Sequence, residues 1–249
     1  MGKTSTQYGK ASQIPGQSNW NTSQNMVFGT VAEYIELQST FVPLLNAYAT
    51  FIKDKLDVDI KFGPALAKAE SSADRKLLDA SINQTPSRIN DFVRIKGTIP
   101  NTGSGSVDDL LTVKEYIKQA AETLGYKDRF EFPEPETGFR DFKAHVVLTD
   151  PDDSSKTMTV EMLFEHEAME AVNKSSAELR GMERRLREED SGLKANYSKA
   201  STRITIAREG LRNARKDLHD TAAYNAGLDN LINPASHYIS SHDGIGKTM

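Results

Sequence analysis

At 249 residues with 37% hydrophobic content, the chain has room for one core with helical additions, provided its apolar residues are concentrated by periodicity. A formal charge of -4 and a pI near 5.8 exclude a general attraction to duplex DNA, so any grip on phosphate-rich ligands has to come from a local basic cluster. The absence of cysteine excludes disulfides, thiolate metal ligands and a cysteine nucleophile.

Residues 1–25 are mostly Ser, Thr, Gln, Asn and Gly and cannot bury enough apolar area to offset ordering entropy, which predicts a disordered polar leader. From Met26, Phe28, Val31 and Ile35 recur at helical spacing, followed by Phe41, Leu45, Tyr48, Ile52 and Leu56. With Pro43 in a first turn after Ser39 and Thr40, this predicts two helices in series. Pro64 opens a third helix to about Leu78, carrying Lys68, Arg75 and Lys76.

Between Arg88 and Ile99 the period changes to two, with Val93, Ile95 and Ile99 on one face, Arg94, Lys96 and Thr98 on the other, and Gly97 interrupting. Ser106 and Asp109 form a capping-box pattern ahead of Leu110, Val113, Ile117, Ala120 and Leu124, and Gly125 ends that helix. Three strands are predicted next, over 127–132, 141–149 and 156–164, the last two joined by the turn DPDDSSK.

From Glu165 the chain is helical. Met169, Val172, Leu179, Met182 and Leu186 form one stripe, and Ile204, Ala207, Leu211, Ala214, Leu218 and Ala222 another after a break at 190–192, which predicts a helical hairpin. The interleaved charges of RGMERRLREED and REGLRNARKD read as solvated faces. The fold class is α+β, a small mixed sheet flanked by helices with a C-terminal helical hairpin. The expected division is a leader over 1–25, a domain over 26–190, a helical extension over 191–232 and a loose tail over 233–249.

No stretch approaches the roughly 18 uninterrupted apolar residues of a membrane span, and the amino terminus has no apolar run of secretory type. The expectation is a cytoplasmic protein, or one exported without a Sec signal peptide, with no membrane contact. MGKTST imitates a myristoylation site without a polybasic neighbour, and GIGKTM imitates a phosphate loop with Ser241 in place of its first glycine.

Few residues carry chemistry by spacing alone. Asp91 begins the first strand of the 88–99 run, and Glu161 lies inside the last strand on the face of Thr157 and Thr159, opposite Val160 and Met162. That placement fits an ordinary glutamate on an exposed sheet face, or a cleft. His145 and His166 are isolated and read as satisfied structural histidines.

Four segments follow one another between Ile60 and Arg187: KFGPALAKAESSADRKLLD, INDFVRIKGTI, TGFRDFKAHVVL and TVEMLFEHEAMEAVNK. In this order they resemble the synthetase domain of the RelA/SpoT family, in its compact stand-alone or toxin-type branch. The resemblance implies a nucleotidyltransferase-like fold and a pyrophosphokinase that uses ATP and Mg2+ and takes an acceptor nucleotide. Asp91 and Arg94 match an aspartate closely followed by arginine, implying a magnesium ligand and an ATP-phosphate contact. Glu161 matches the catalytic glutamate, a second magnesium ligand and candidate base, and the basic segment with Lys68, Arg75 and Lys76 resembles the ATP-binding helix. Gly138, Phe139, Arg140 and Asp141 match a Gly-Tyr-Arg-Asp segment whose tyrosine stacks on the acceptor base, and Lys174 matches a lysine of the following helix.

The chain departs from the pattern on the acceptor side. Leu163 replaces a glutamine, Glu165 a basic residue, and Ala177 and Arg180 a histidine and a tyrosine. The acceptor implied is a guanine or adenine nucleotide or a tRNA 3′ end, and a toxin or secreted effector would have a neutralising or host protein partner. The alternatives are a catalytically silent nucleotide- or protein-binding module, or a phage structural protein.

Overall fold

The computed structural model describes residues 17–18, 30–78, 85–120, 122–193 and 198–232. They fall into two compact units. The first takes the chain to Pro100 with Asp108–Asp128 and Phe142–Phe164; the second takes Asn101–Val107, Arg129–Asp141 and the chain from Glu165. Of the expected leader and tail, only Gln17–Ser18 is described; it forms strand β1. No helix among the described residues is long and apolar enough to cross a membrane.

The first unit is built on a mixed seven-stranded sheet. Its strands are β1, β2 (Lys61–Phe62), β3 (Leu66–Ala67), β4 (Val93–Ile99), β5 (Thr123–Asp128), β6 (Phe142–Thr149) and β7 (Thr157–His166). The spatial order is β1-β5-β6-β7-β4-β2, with β3 also on β4. In the antiparallel β6–β7 ladder, Phe142, Ala144, Val146 and Leu148 stand opposite Phe164, Met162, Val160 and Met158. All eight are buried, so strict alternation sets the register and places Glu161 and His145 together on the other face.

The two helices expected over 26–56 are one, α1 (Val31–Leu56), started by a Thr30–Glu33 capping box and running through Pro43. The buried stripe Val31, Tyr34, Gln38, Phe41, Leu45, Ala49 and Ile52 continues unbroken past the proline. Burying a residue such as Phe41 or Leu45 stabilises by about 1.5–3 kcal/mol, and several together outweigh the roughly 3 kcal/mol cost of an interior proline. The helix expected from Pro64 is also revised. Leu66 and Ala67 pair with Arg94 and Val93 on the edge of β4, and helix α2 (Glu70–Leu77) starts only afterwards.

Helix α3 (Ser104–Gln119) ends before the expected glycine stop. Gly125 instead lies within β5 at a register shift against β6, so its freedom serves a bulge rather than a cap. Strand β5 therefore precedes the expected 127–132.

In the second unit, α4 (Glu167–Ser175), α5 (Ala177–Leu193) and α6 (Ser198–Asn225) follow β7, and α6 packs on both α4 and α5. The expected break at 190–192 falls inside α5, where buried Asp190 accepts from Ser201 Oγ at 2.6 Å. The buried face is not the expected apolar stripe. Met182 and Leu218 are 44% and 41% exposed, whereas Glu183, Arg215, His219 and Ala223 are buried. The charged runs are thus partly interior, because Glu183 pairs with Arg212 and Arg215 at 2.8 and 3.0 Å.

His166 caps α4. Its Nδ1 accepts from the Ala168 N–H at 3.3 Å, so Nε2 carries the proton and donates to Ser106 Oγ at 3.0 Å. Burial lowers its pKa, against the pull of Glu167. The unfolded chain takes up a proton near pH ~6.5 that native His166 resists, so stability present above that pH is lost as pH falls. The urea midpoint should drop between pH 7 and pH 5, and His166→Asn, which keeps a capping oxygen, should shrink that drop.

Gly97 has a steric role in the first unit. A Cβ there would meet Ile60 Cδ1 at 2.7 Å and Phe62 Cε1 at 2.9 Å, because Phe62 pairs directly opposite it on β2. Gly97→Ala should lower stability by about 1–3 kcal/mol through overpacking, read as a lower urea midpoint at unchanged slope.

Candidate active site

Asp91 sits two residues ahead of β4, and Lys68 in the link from β3 to α2. Asp91 Oδ2 is gripped by Lys68 Nζ at 2.9 Å and by Lys76 Nζ, from the last turn of α2, at 2.8 Å. The backbone around both is braced from α1. Gln38 Nε2 donates to the carbonyls of Lys68 at 2.9 Å and Phe92 at 3.0 Å, and Phe92 stacks on Tyr34 with ring centroids 4.7 Å apart. Gln38 was not picked out from sequence, although a glutamine within the apolar stripe Tyr34–Phe41–Leu45 is the signal that could have marked it.

Burial pushes the Asp91 carboxyl up, but Lys76 and then Lys68 outweigh it and hold it below the ordinary aspartate value. Its second oxygen, Oδ1, is buried with no hydrogen-bond partner. Among the described residues no group of three or more His, Asp or Glu side chains could hold a metal ion by itself. A hard divalent cation shared with phosphates needs only one or two carboxylates, and the orphaned Oδ1 is such a ligand.

Glu161 lies on β7 directly across from His145 on β6 and has no ion pair or hydrogen bond of its side chain among the described residues. Its face is no open sheet surface, since Thr159 and His145 on it are 1% and 5% exposed. His145, set aside from sequence as isolated, is pushed down to about 4 by burial, while it also feels Asp91, Lys143 and Lys76. It is a neutral neighbour of the Asp91 cluster at neutral pH. Arg75 and Arg94 are exposed, Arg94 opposite Leu66 of β3; neither has an ion-pair partner among the described residues.

Phe139, Arg140 and Lys174 belong to the second unit. There the Gly-Phe-Arg-Asp segment is keyed into α6. Gly138 has φ 63°, and a Cβ on it would lie 2.6 Å from Asp220 Oδ1, so only glycine fits. Arg140 is buried and pairs with Asp229 at 2.7 Å and Asp220 at 3.6 Å. The Phe139 ring meets His219 edge-on at 5.7 Å, with the Arg129 guanidinium 5.5 Å from its centroid. Lys174 is exposed, 3.3 Å from Glu170.

The departures noted in the sequence have definite places. Leu163 is half-buried on the Glu161 face, opposite Lys143. Glu165 is buried and accepts from Asn173 Nδ2 at 3.3 Å. Arg180 lines an open cavity of about 370 Å³ together with Phe139, Glu183, Arg187, Arg212 and Arg215, and with Glu134, Glu136 and Thr137.

No family model matches the sequence, and no curated protein does. In three dimensions the chain is similar to small alarmone synthetase 2 from Bacillus subtilis, with a TM-score of 0.51 at 11% identity over 86% of this chain and 98% of that one. Small alarmone synthetase 1 from Bacillus subtilis bound to its product pppGpp gives 0.44 at 14% identity, over 78% and 96%. A GTP pyrophosphokinase family protein from Streptococcus pneumoniae gives 0.43 at 12% identity, over 82% and 100%. At these identities the likeness is one of fold. The chain has the fold of the RelA/SpoT-like small alarmone synthetases, as its four ordered segments led one to expect.

Proposed function

We propose that the chain is a pyrophosphokinase that moves the pyrophosphate of ATP to a hydroxyl of an acceptor nucleotide. The observation that carries this is the Asp91 carboxylate, buried between Lys68 and Lys76 with one oxygen unpartnered, in a chain with the fold of an alarmone synthetase. Two lysines preassembled around one carboxylate offer cations to phosphate oxygens without having to be gathered from solvent.

Asp91 and Glu161 would hold Mg2+, which neutralises charge on the ATP phosphates when bound. Lys68, Arg75, Lys76 and Arg94 are assigned to the same phosphates. Glu161, free of any ion pair, takes the proton of the acceptor hydroxyl. The hydroxyl oxygen forms a bond to the β-phosphorus as the bond from that phosphorus to the α,β-bridging oxygen breaks, and AMP leaves with the electron pair. Acceptor binding is assigned to the second unit, with Phe139 offering a π face to the base, Arg140 fixing its loop and Lys174 reaching a phosphate.

Incubation with γ-labelled ATP, Mg2+ and GDP, GTP, ADP, AMP or tRNA tests the assignment. Label should move to at least one acceptor with release of AMP, and Asp91→Ala and Glu161→Ala should each lower that rate by about 10²–10⁴. An unlabelled panel with the intact protein would contradict it.

A further inference from the structure

The cavity of the second unit has a ligand chemistry that its own ion pairs leave unmet. Its volume of about 370 Å³ lies in the range of small-molecule sites. Glu183 holds Arg212 and Arg215 in place at 2.8 and 3.0 Å. It pairs with Arg187 more loosely, at 3.7 Å, and that side chain is 65% exposed.

Arg180 has no carboxylate within ion-pair distance among the described residues; its guanidinium donates to the Asn173 carbonyl at 2.8 Å. Burial and the neighbouring Arg215 both lower the pKa of Arg180, with Glu165 offsetting them only in part. An anion relieves both burdens at once. Arg215 Nε is, in addition, buried without a hydrogen-bond partner, so Glu183 leaves the Arg215 guanidinium only partly satisfied.

We infer that this cavity holds the phosphates of a nucleoside 5′-diphosphate or triphosphate, with Arg180 and Arg187 as the principal phosphate ligands and Phe139 in the same wall toward the base. Guanidinium pairs suit phosphate oxygens in geometry and in charge. Calling this nucleotide the acceptor rests on the pyrophosphokinase reading; the phosphate site itself does not. Arg180, which stands where the resembling family has a tyrosine, then supplies charge that Leu163 and Glu165 do not.

Titration calorimetry of the full chain with GDP, ADP and inorganic pyrophosphate tests the site. Arg180→Gln and Arg187→Gln should each weaken nucleoside diphosphate binding about tenfold, with Arg180→Lys restoring part of the loss. Arg187 is exposed, so its variant is expected to keep the wild-type urea midpoint and to report on binding even if Arg180→Gln is poorly folded. Unchanged affinity in Arg187→Gln and in folded Arg180→Gln would overturn the site, and pyrophosphate binding as tightly as either nucleotide would overturn the nucleoside part. If the wild type transfers label, Arg187→Gln should raise the acceptor KM about tenfold while leaving the ATP KM unchanged, and an unchanged acceptor KM would overturn the inference alone. Arginine-dependent GDP binding by a protein that transfers no label would support the site while removing the pyrophosphokinase reading.

Discussion

The contact between Asp91 and its two lysines organises the first unit. It joins the approach to β4 to the β3–α2 link through Lys68 and to the last turn of α2 through Lys76. Lys76 is 44% exposed, but burying Asp91 and Lys68 costs several kcal/mol per ion before their attraction offsets it, and well-packed apolar residues would serve stability as well. What apolar residues cannot provide is a pair of ammonium groups held ready beside a carboxylate oxygen with no partner. Gln38 and the Tyr34–Phe92 stack make the arrangement rigid from α1, so the longest apolar stripe of the first unit also positions its charged cluster.

The second unit solves a related problem with arginines. Glu183 pairs with two guanidiniums of α6, Arg212 also reaches Glu136, and Arg180 has no carboxylate within ion-pair distance among the described residues. The loop bearing Phe139 approaches α6 closely at Gly138 and is held by Arg140 to Asp220 of α6 and to Asp229 beyond its end, and the aromatic ring and the arginines of α5 and α6 line one cavity. In both units the interior charges exceed what packing requires, and each surplus is of a kind that phosphate chemistry uses.

Much of this was legible in the sequence where one physical rule dominated. The 93–99 and 157–166 strands follow from period-two alternation, and the ordered motifs led to the observed fold. Legibility failed where a local signal was outweighed by a distant one. Pro43 reads as a helix start, yet the apolar stripe carries α1 through it. Leu66 and Ala67 sit in a helix-like segment but satisfy their backbone on the edge of β4. The face of α6 looked apolar because Leu211 and Leu218 share helical spacing, whereas the partner that decides burial, Glu183, lies on another helix. At the site, residue types were readable for Asp91, Lys68 and Lys76, but not their mutual contact, nor the roles of Gln38 and His145, because no spacing rule links residues brought together only by the sheet.

On the proposed reading, the unpartnered oxygen of Asp91 is a ligand for a cation carried by ATP. The most direct test of this is ATP affinity by calorimetry, with and without Mg2+, in the wild type and in Asp91→Asn, which keeps the shape of the side chain. Mg2+ should tighten ATP binding to the wild type about tenfold or more, and Asp91→Asn should lose this increment while retaining the Mg2+-independent part. Equal wild-type affinity with and without Mg2+, or an increment undiminished in Asp91→Asn, would contradict that reading.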